Sequence, residues 1–243
     1  MLEKQETIGK ALDFVQKKYG KFGDFANMIP HLKSFSRDEI NGVIAKEGFD
    51  PLIRISETER IIFLSDKPIN KTPLFRKKAW KQLLDASEHL PEGIGFGIIE
   101  CFRSEKRQLN LRDKRFILFK SKFPNDSDKD IWRRVDTFIA RPGGPHQTGG
   151  VIDVCLIDLK TKTPFDMGSP GPGFSFDRKN YTSSDMISLE AQVHRYILAT
   201  IMTFFGFRNY PAEWWHYEFG TKRHSRYMRF EECMYDVVNT PLV

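Results

Sequence analysis

A chain of 243 residues, 40% hydrophobic and 29% charged, has the makings of one soluble globular domain with an appendage, and is long enough to bury a core. The excess of 38 Lys+Arg over 32 Asp+Glu leaves +6; so mild a basic balance, with no recognised motif beside it, argues against nucleic acid as the partner. Three scattered cysteines, Cys101, Cys155 and Cys233, with no CxxC pair, exclude a secreted disulfide framework and suit a reducing compartment.

The apolar spacing Ile8, Leu12, Val15 and Tyr19 predicts a helix over Leu2 to Tyr19, stopped by Gly20. Residues 1–50 are therefore read as an N-terminal helical extension and residues 51–243 as the main domain. The first ten residues are charged throughout and lack the apolar core of a signal peptide, so the expected setting is cytoplasmic. A strand is expected at Arg60 to Leu64, a helix between Thr72 and Leu90, and a strand from Gly95 to Arg103. Ser104 is a cap for a helix running to about Lys122, and residues 125–129 are expected as a loop. The β-branched run Val151 to Ile157 reads as a buried strand. Ser188 to Phe205 is the longest helix, closed by Gly206, and a Pro-containing turn leads to the aromatic strand Glu213 to Phe219. The uncharged apolar stretch from Tyr196 to Phe207 falls short of the ~20 residues a membrane span needs. Strands and helices without a regular βαβ period favour an α+β fold. The expectation is a small, mainly antiparallel sheet with helices packed on one side.

One residue in this plan is out of character. Alternation puts Val151, Asp153, Cys155 and Ile157 on one strand face, and an ionised Asp153 in such surroundings costs several kcal/mol unless a cation or donors compensate it. Arg103, His146 and the Glu213/His216 pair around Trp214 and Trp215 are further polar groups in or beside strands. Each alone has a bland reading: a turn histidine, an ion-paired core carboxylate, packed tryptophans. Together they suit one chemistry, because catalytic zinc commonly takes three His and Asp/Glu ligands and keeps a position open. His146, Asp153 and His216 are the candidate ligands, Glu213 the candidate general base, and Arg103 the candidate stabiliser of a developing oxyanion. On a regular strand Glu213 and His216, three apart, would face opposite ways, so the base is expected in the turn before Trp214.

This ordered set resembles the zinc D-alanyl-D-alanine dipeptidases, within the wider D-Ala-D-Ala metallopeptidase group. The family's Ser-x-His-x-x-Gly-x-Ala-x-Asp motif is met by His146, Gly149 and Asp153, and its Glu-Trp-Trp-His by residues 213–216 in full. Phe102-Arg103-Ser104, the turn Asp166-Met-Gly-Ser169 and the run from Glu190 to Arg195 resemble further family segments. The resemblance covers about residues 55–220. It implies one Zn2+ per chain, bound by His146, Asp153 and His216, with Glu213 and Arg103 catalytic. It also implies hydrolysis of a small peptide such as D-Ala-D-Ala. Gly144 stands where the family has Ser, Val151 where it has Ala, and Pro-Gly-Pro-Gly173 lengthens the path to Phe176-Asp177. Candidate substrate contacts are accordingly Gly144, Trp214, Trp215 and Asp177. Two alternatives stand beside the dipeptidase: a carboxypeptidase or endopeptidase on peptidoglycan stem peptides, and a non-catalytic zinc-binding interaction module. The oligomeric state is left open.

Overall fold

The centre of the computed structural model is the expected buried strand at Val151, which runs to Asp158 with seven of its eight residues buried. The structure describes residues 35–46, 48–64, 73–172 and 177–239; the helix expected over Leu2 to Tyr19 lies outside them. In chain order the strands are β1 (Ile44–Ala45), β2 (Leu52–Arg54), β3 (Ile61–Phe63), β4 (Leu74–Arg76), β5 (Ile94–Glu100), β6 (Val151–Asp158), β7 (Thr163–Pro164), β8 (Arg208–Tyr210), β9 (Glu213–Glu218) and β10 (Glu232–Cys233). The helices are α1 (Arg37–Asn41), α2 (Lys77–Glu88), α3 (Glu105–Lys122), α4 (Asp128–Phe138), α5 (Leu189–Phe204) and α6 (Lys222–Tyr227).

The main sheet has the order β3-β5-β6-β9-β8, with β7 also on β6. It is mixed: β3 runs parallel to β5, and every other pair is antiparallel. Helices α2 and α5 pack on each other, and α5 also packs on β6 and β9. The shared core includes Leu83, Ile152, Val154, Leu156, Ile197 and Ile201. The Ser188 cap is present, accepting from Ala191 N, and Gly206 follows α5 at φ 88°.

Two local expectations are corrected. Leu74–Arg76 opens the stretch read as helix from Thr72, but it forms a strand because Phe75 pairs with Ile53 of β2 and is fully buried. A partner distant in sequence here outweighs helical spacing. The presumed loop at residues 125–129 holds a helix start instead: the Ser127 side chain accepts from Asp130 N, and Asp128 and Asp130 sit in the first turn, where the helix dipole favours them. Helices α3 and α4 thus form a hairpin with a small core of its own, Phe119, Ile131 and Val135.

Residues 35–50 join the C-terminal segment. β1 pairs with β10 in parallel, and the buried Asp50 carboxylate accepts from Lys78 N at 3.1 Å and from the Tyr235 hydroxyl at 2.5 Å.

Candidate metal centre and active site

Three central strands and one turn converge on the site. Antiparallel pairing sets Asp153 of β6 opposite Glu100 of β5 on one side and opposite His216 of β9 on the other. His146 arrives from the 3-10 turn Pro145–Thr148, which ends at Gly149 with φ 73°. Glycine is required there twice over: the backbone is left-handed, and a Cβ would lie 2.2 Å from Leu52 Cδ2. Buried Arg76 clamps the same turn, its backbone N donating to Gly149 O at 3.0 Å and its Nε to Thr148 O at 2.8 Å.

The candidate ligand atoms of His146, Asp153 and His216 all lie within 4.8 Å of one another, and all three residues are buried. His146 Nε2 is 3.4 Å from Asp153 Oδ2, and His216 Nδ1 is 3.1 Å from Asp153 Oδ1. Ligand bonds of 2.0–2.1 Å in a tetrahedral site put neighbouring donors about 3.3 Å apart, so these spacings suit zinc. The second nitrogen of each imidazole is engaged elsewhere. His146 Nδ1 meets Cys101 O at 2.8 Å, which leaves Nε2 as its candidate ligand atom. His216 Nε2 meets Glu218 Oε1 at 3.2 Å, which leaves Nδ1 facing Asp153. Metal-binding histidines are characteristically oriented in this way.

The charges around the triad are compensated in layers. Burial opposes the charge on Asp153, but His146 and His216 outweigh it and hold the carboxyl well below the usual range. Burial also disfavours charge on His216, yet Asp153 and Glu218 on its two sides push it up to about 10. Glu218 is held at about 2 against its burial by Arg223, His216 and Thr221. Opposite burial, the pairing of Arg103 with Glu100 raises Arg103. Its backbone N donates to His146 O at 3.1 Å, and its Nη1 to Gln108 Oε1 at 2.9 Å.

Glu213 does not sit in the turn, as expected from strand geometry. It is the first residue of β9, and a register shift, with Tyr210 opposite Glu213 and Asn209 opposite Tyr217, bulges the strand between them. The bulge brings Glu213 Oε2 to 3.6 Å from His216 Nδ1. Surrounding protein pushes the Glu213 carboxyl up, with His216 partly offsetting it. The five residues expected to hold the metal and do the chemistry are therefore one cluster in space.

The expected substrate contacts are more dispersed. Gly144 precedes the His146 turn, where a Cβ would come 3.1 Å from Ala140 Cβ. Trp214 and Trp215 are buried and meet edge to face at 5.4 Å; Trp214 Nε1 donates to Ser169 Oγ at 2.8 Å. Asp177 caps the 3-10 turn Arg178–Asn180, accepting from Lys179 N at 2.9 Å. Glu100 and Glu218 were missed by sequence reading. Strand alternation carried a signal for Glu218, which lies two residues beyond His216 on the same face.

A family model described as D-ala-D-ala dipeptidase, within the M15 peptidases, matches residues 67–233. The chain belongs to the D-Ala-D-Ala dipeptidase family. All five clustered residues fall inside the family match. A D-alanyl-D-alanine dipeptidase of Enterococcus faecalis (strain ATCC 700802 / V583) is 39% identical over 75 residues, which is 30% of this chain and 35% of that protein. The chain thus matches about a third of that relative's length. Among solved structures, a mutant of the vancomycin resistance D,D-pentapeptidase VanY from the VanB-type cassette, in complex with Zn(II), aligns at a TM-score of 0.42 and 19% identity, over 78% of this chain and 94% of that one. VanYB in complex with D-Alanine-D-Alanine aligns at 0.45 and 16%, over 77% and 88%.

Proposed function

We propose that the protein hydrolyses the peptide bond of D-Ala-D-Ala or a similarly small peptide, with one zinc ion held by His146, Asp153 and His216. The observation that carries this reading is the convergence of a two-histidine, one-carboxylate set with a second carboxylate, Glu213, 3.6 Å from a ligand nitrogen. A non-catalytic zinc module has no need of that carboxylate. Bound zinc supplies Lewis acidity, polarising a carbonyl and lowering the pKa of coordinated water.

The chain's own residues do the rest. Hydrolysis adds a hydroxyl to the carbonyl carbon and a proton to the amine nitrogen as the C–N bond breaks. Glu213 takes the proton from the attacking water and passes it to the leaving amine. Its raised pKa suits both roles, since a carboxyl nearer neutrality returns a proton more readily. Arg103, held by Glu100 and Gln108, keeps its charge and offers donors to the oxygen on which negative charge develops. Family membership and the match to an enterococcal D-alanyl-D-alanine dipeptidase support the substrate class.

The test is turnover of D-Ala-D-Ala by zinc-loaded protein beside Glu213→Ala. Release of D-Ala by the parent alone is expected; equal rates would remove Glu213 as the base. Cleavage of a stem pentapeptide with the free dipeptide untouched would move the activity to the carboxypeptidase class.

A further inference from the structure

A cavity of about 560 Å³ is walled by Leu64, Ile99, Cys155, Phe165, Met167 and Trp214. Its walls include residues of the strands that carry the candidate site. Cys155 lies two residues beyond Asp153 on the same face of β6, about 7 Å along the strand. Trp214 stands two residues before His216 on β9. Opposite Cys155 stands Gly97, where a Cβ would meet Leu64 Cδ1 at 2.4 Å, so the missing side chain lets Leu64 lie down as a wall. The Trp214 ring is held by its bond to Ser169 Oγ and by Arg195, whose guanidinium carbon is 5.4 Å from the ring centre.

Such a volume belongs with pockets of about 300–1,000 Å³ that receive drug-sized ligands. Two alanine methyls leave most of it unfilled. Among the described residues Asp166 is the one lining residue with a charged side chain, and a carboxylate there repels acidic side chains. Resting on the function proposed above, we infer that the pocket receives a bulky apolar side chain of the peptide substrate. The preferred substrates are then small D-peptides carrying a Leu- or Phe-sized residue beside the scissile bond, with Leu64, Ile99 and Met167 setting the preference.

The experiment compares kcat/KM of the zinc-loaded full chain on D-Ala-D-Ala, D-Leu-D-Ala, D-Ala-D-Leu, D-Phe-D-Ala, D-Ala-D-Phe and D-Ala-D-Glu. At least about a tenfold preference for one bulky apolar dipeptide over D-Ala-D-Ala is expected, the scale on which pockets discriminate added methylenes, with D-Ala-D-Glu last. Leu64→Trp, or Ile99→Trp if the first does not fold, should shrink that ratio within the same protein. Turnover of D-Ala-D-Ala equal to or better than all bulky substrates would overturn the pocket assignment and leave the peptidase reading intact. A bulky preference unchanged in the folded tryptophan variant would also overturn it. Turnover of none of the panel with zinc bound would overturn the peptidase reading and this inference together.

Discussion

The charged residues of β5, β6 and β9 and those of the α3–α4 hairpin obey different physics. In the sheet, Asp153 keeps 2% of its side chain exposed and Glu218 1%, and each buried charge is matched by a neighbour whose own far side is also matched. On the hairpin, Arg133 and Asp130 pair with 68% and 48% of their side chains exposed, and Arg134 pairs with Asp126 in similar surroundings. Water screens the second kind, so such a pair is worth about 0–1 kcal/mol. Removing one member of the first kind strands another charge out of water and costs several times more. The contrast separates charges buried around the candidate metal centre from charges that clothe a surface.

Five outcomes test that contrast, in order of expected size. Asp153→Ala should abolish stoichiometric zinc binding and turnover with it, as read by metal analysis of the purified protein; full zinc content would dismiss the triad. Glu213→Ala should retain zinc and thermal stability while losing roughly 10²–10⁴-fold in kcat, the usual range for a general base. Glu218→Gln, which keeps shape but weakens the acceptor of the His216 Nε2 bond, should cost about 10–100-fold in zinc affinity by competitive chelation. Unaltered affinity would reduce Glu218 to a packing role.

The fourth outcome concerns protons. His216 without metal is held at about 10, so at neutral pH it carries a proton that zinc must displace. Affinity should therefore fall by about tenfold per pH unit between 7 and 5, with proton release visible as a buffer-dependent binding enthalpy. A flat profile would contradict imidazole ligation. The smallest effect is expected on the hairpin. Arg141 and Arg112 hold Asp136 at about 2, below its unfolded range, so its contribution is present at neutral pH and lost as pH falls from about 4 through 2. Asp136→Asn should cost about 1 kcal/mol in denaturant melts and leave turnover unchanged, because Arg112 keeps its bond to Ile139 O at 2.6 Å and its place over Trp132.

Two of the candidate ligands, Asp153 and His216, were legible because they break a local rule. An aspartate in a β-branched run, and a histidine that follows two tryptophans in a buried strand, are costly where they stand unless something binds them. Glu100 and Glu218 escaped notice because strand ends and alternating strands routinely carry glutamates, and nothing local announces that Glu100 pairs with Arg103 and that Glu218 is buried against His216. The Asp177 expectation followed chain order, and in the structure that carboxylate accepts from Lys179 N at the start of a 3-10 turn. Leu74–Arg76 misled for a related reason, since helical spacing cannot register a partner strand as far upstream as Leu52–Arg54.

By itself the sequence determined the buried strand at Val151 and the capped helix at Ser188, and it singled out His146, Asp153, His216, Glu213 and Arg103 as candidates. The strand and helix follow from periodicity and capping, and the attention to Asp153 from the cost of burying a charge, all of which are local; the ordered family motifs supplied the rest of the set. Tertiary structure alone decided the β9 bulge that turns Glu213 toward His216, the nitrogen each imidazole presents, and the cavity beyond Asp153. Those depend on register and on side chains distant in sequence, where a shift of one residue or a missing Cβ at Gly97 changes which groups can meet.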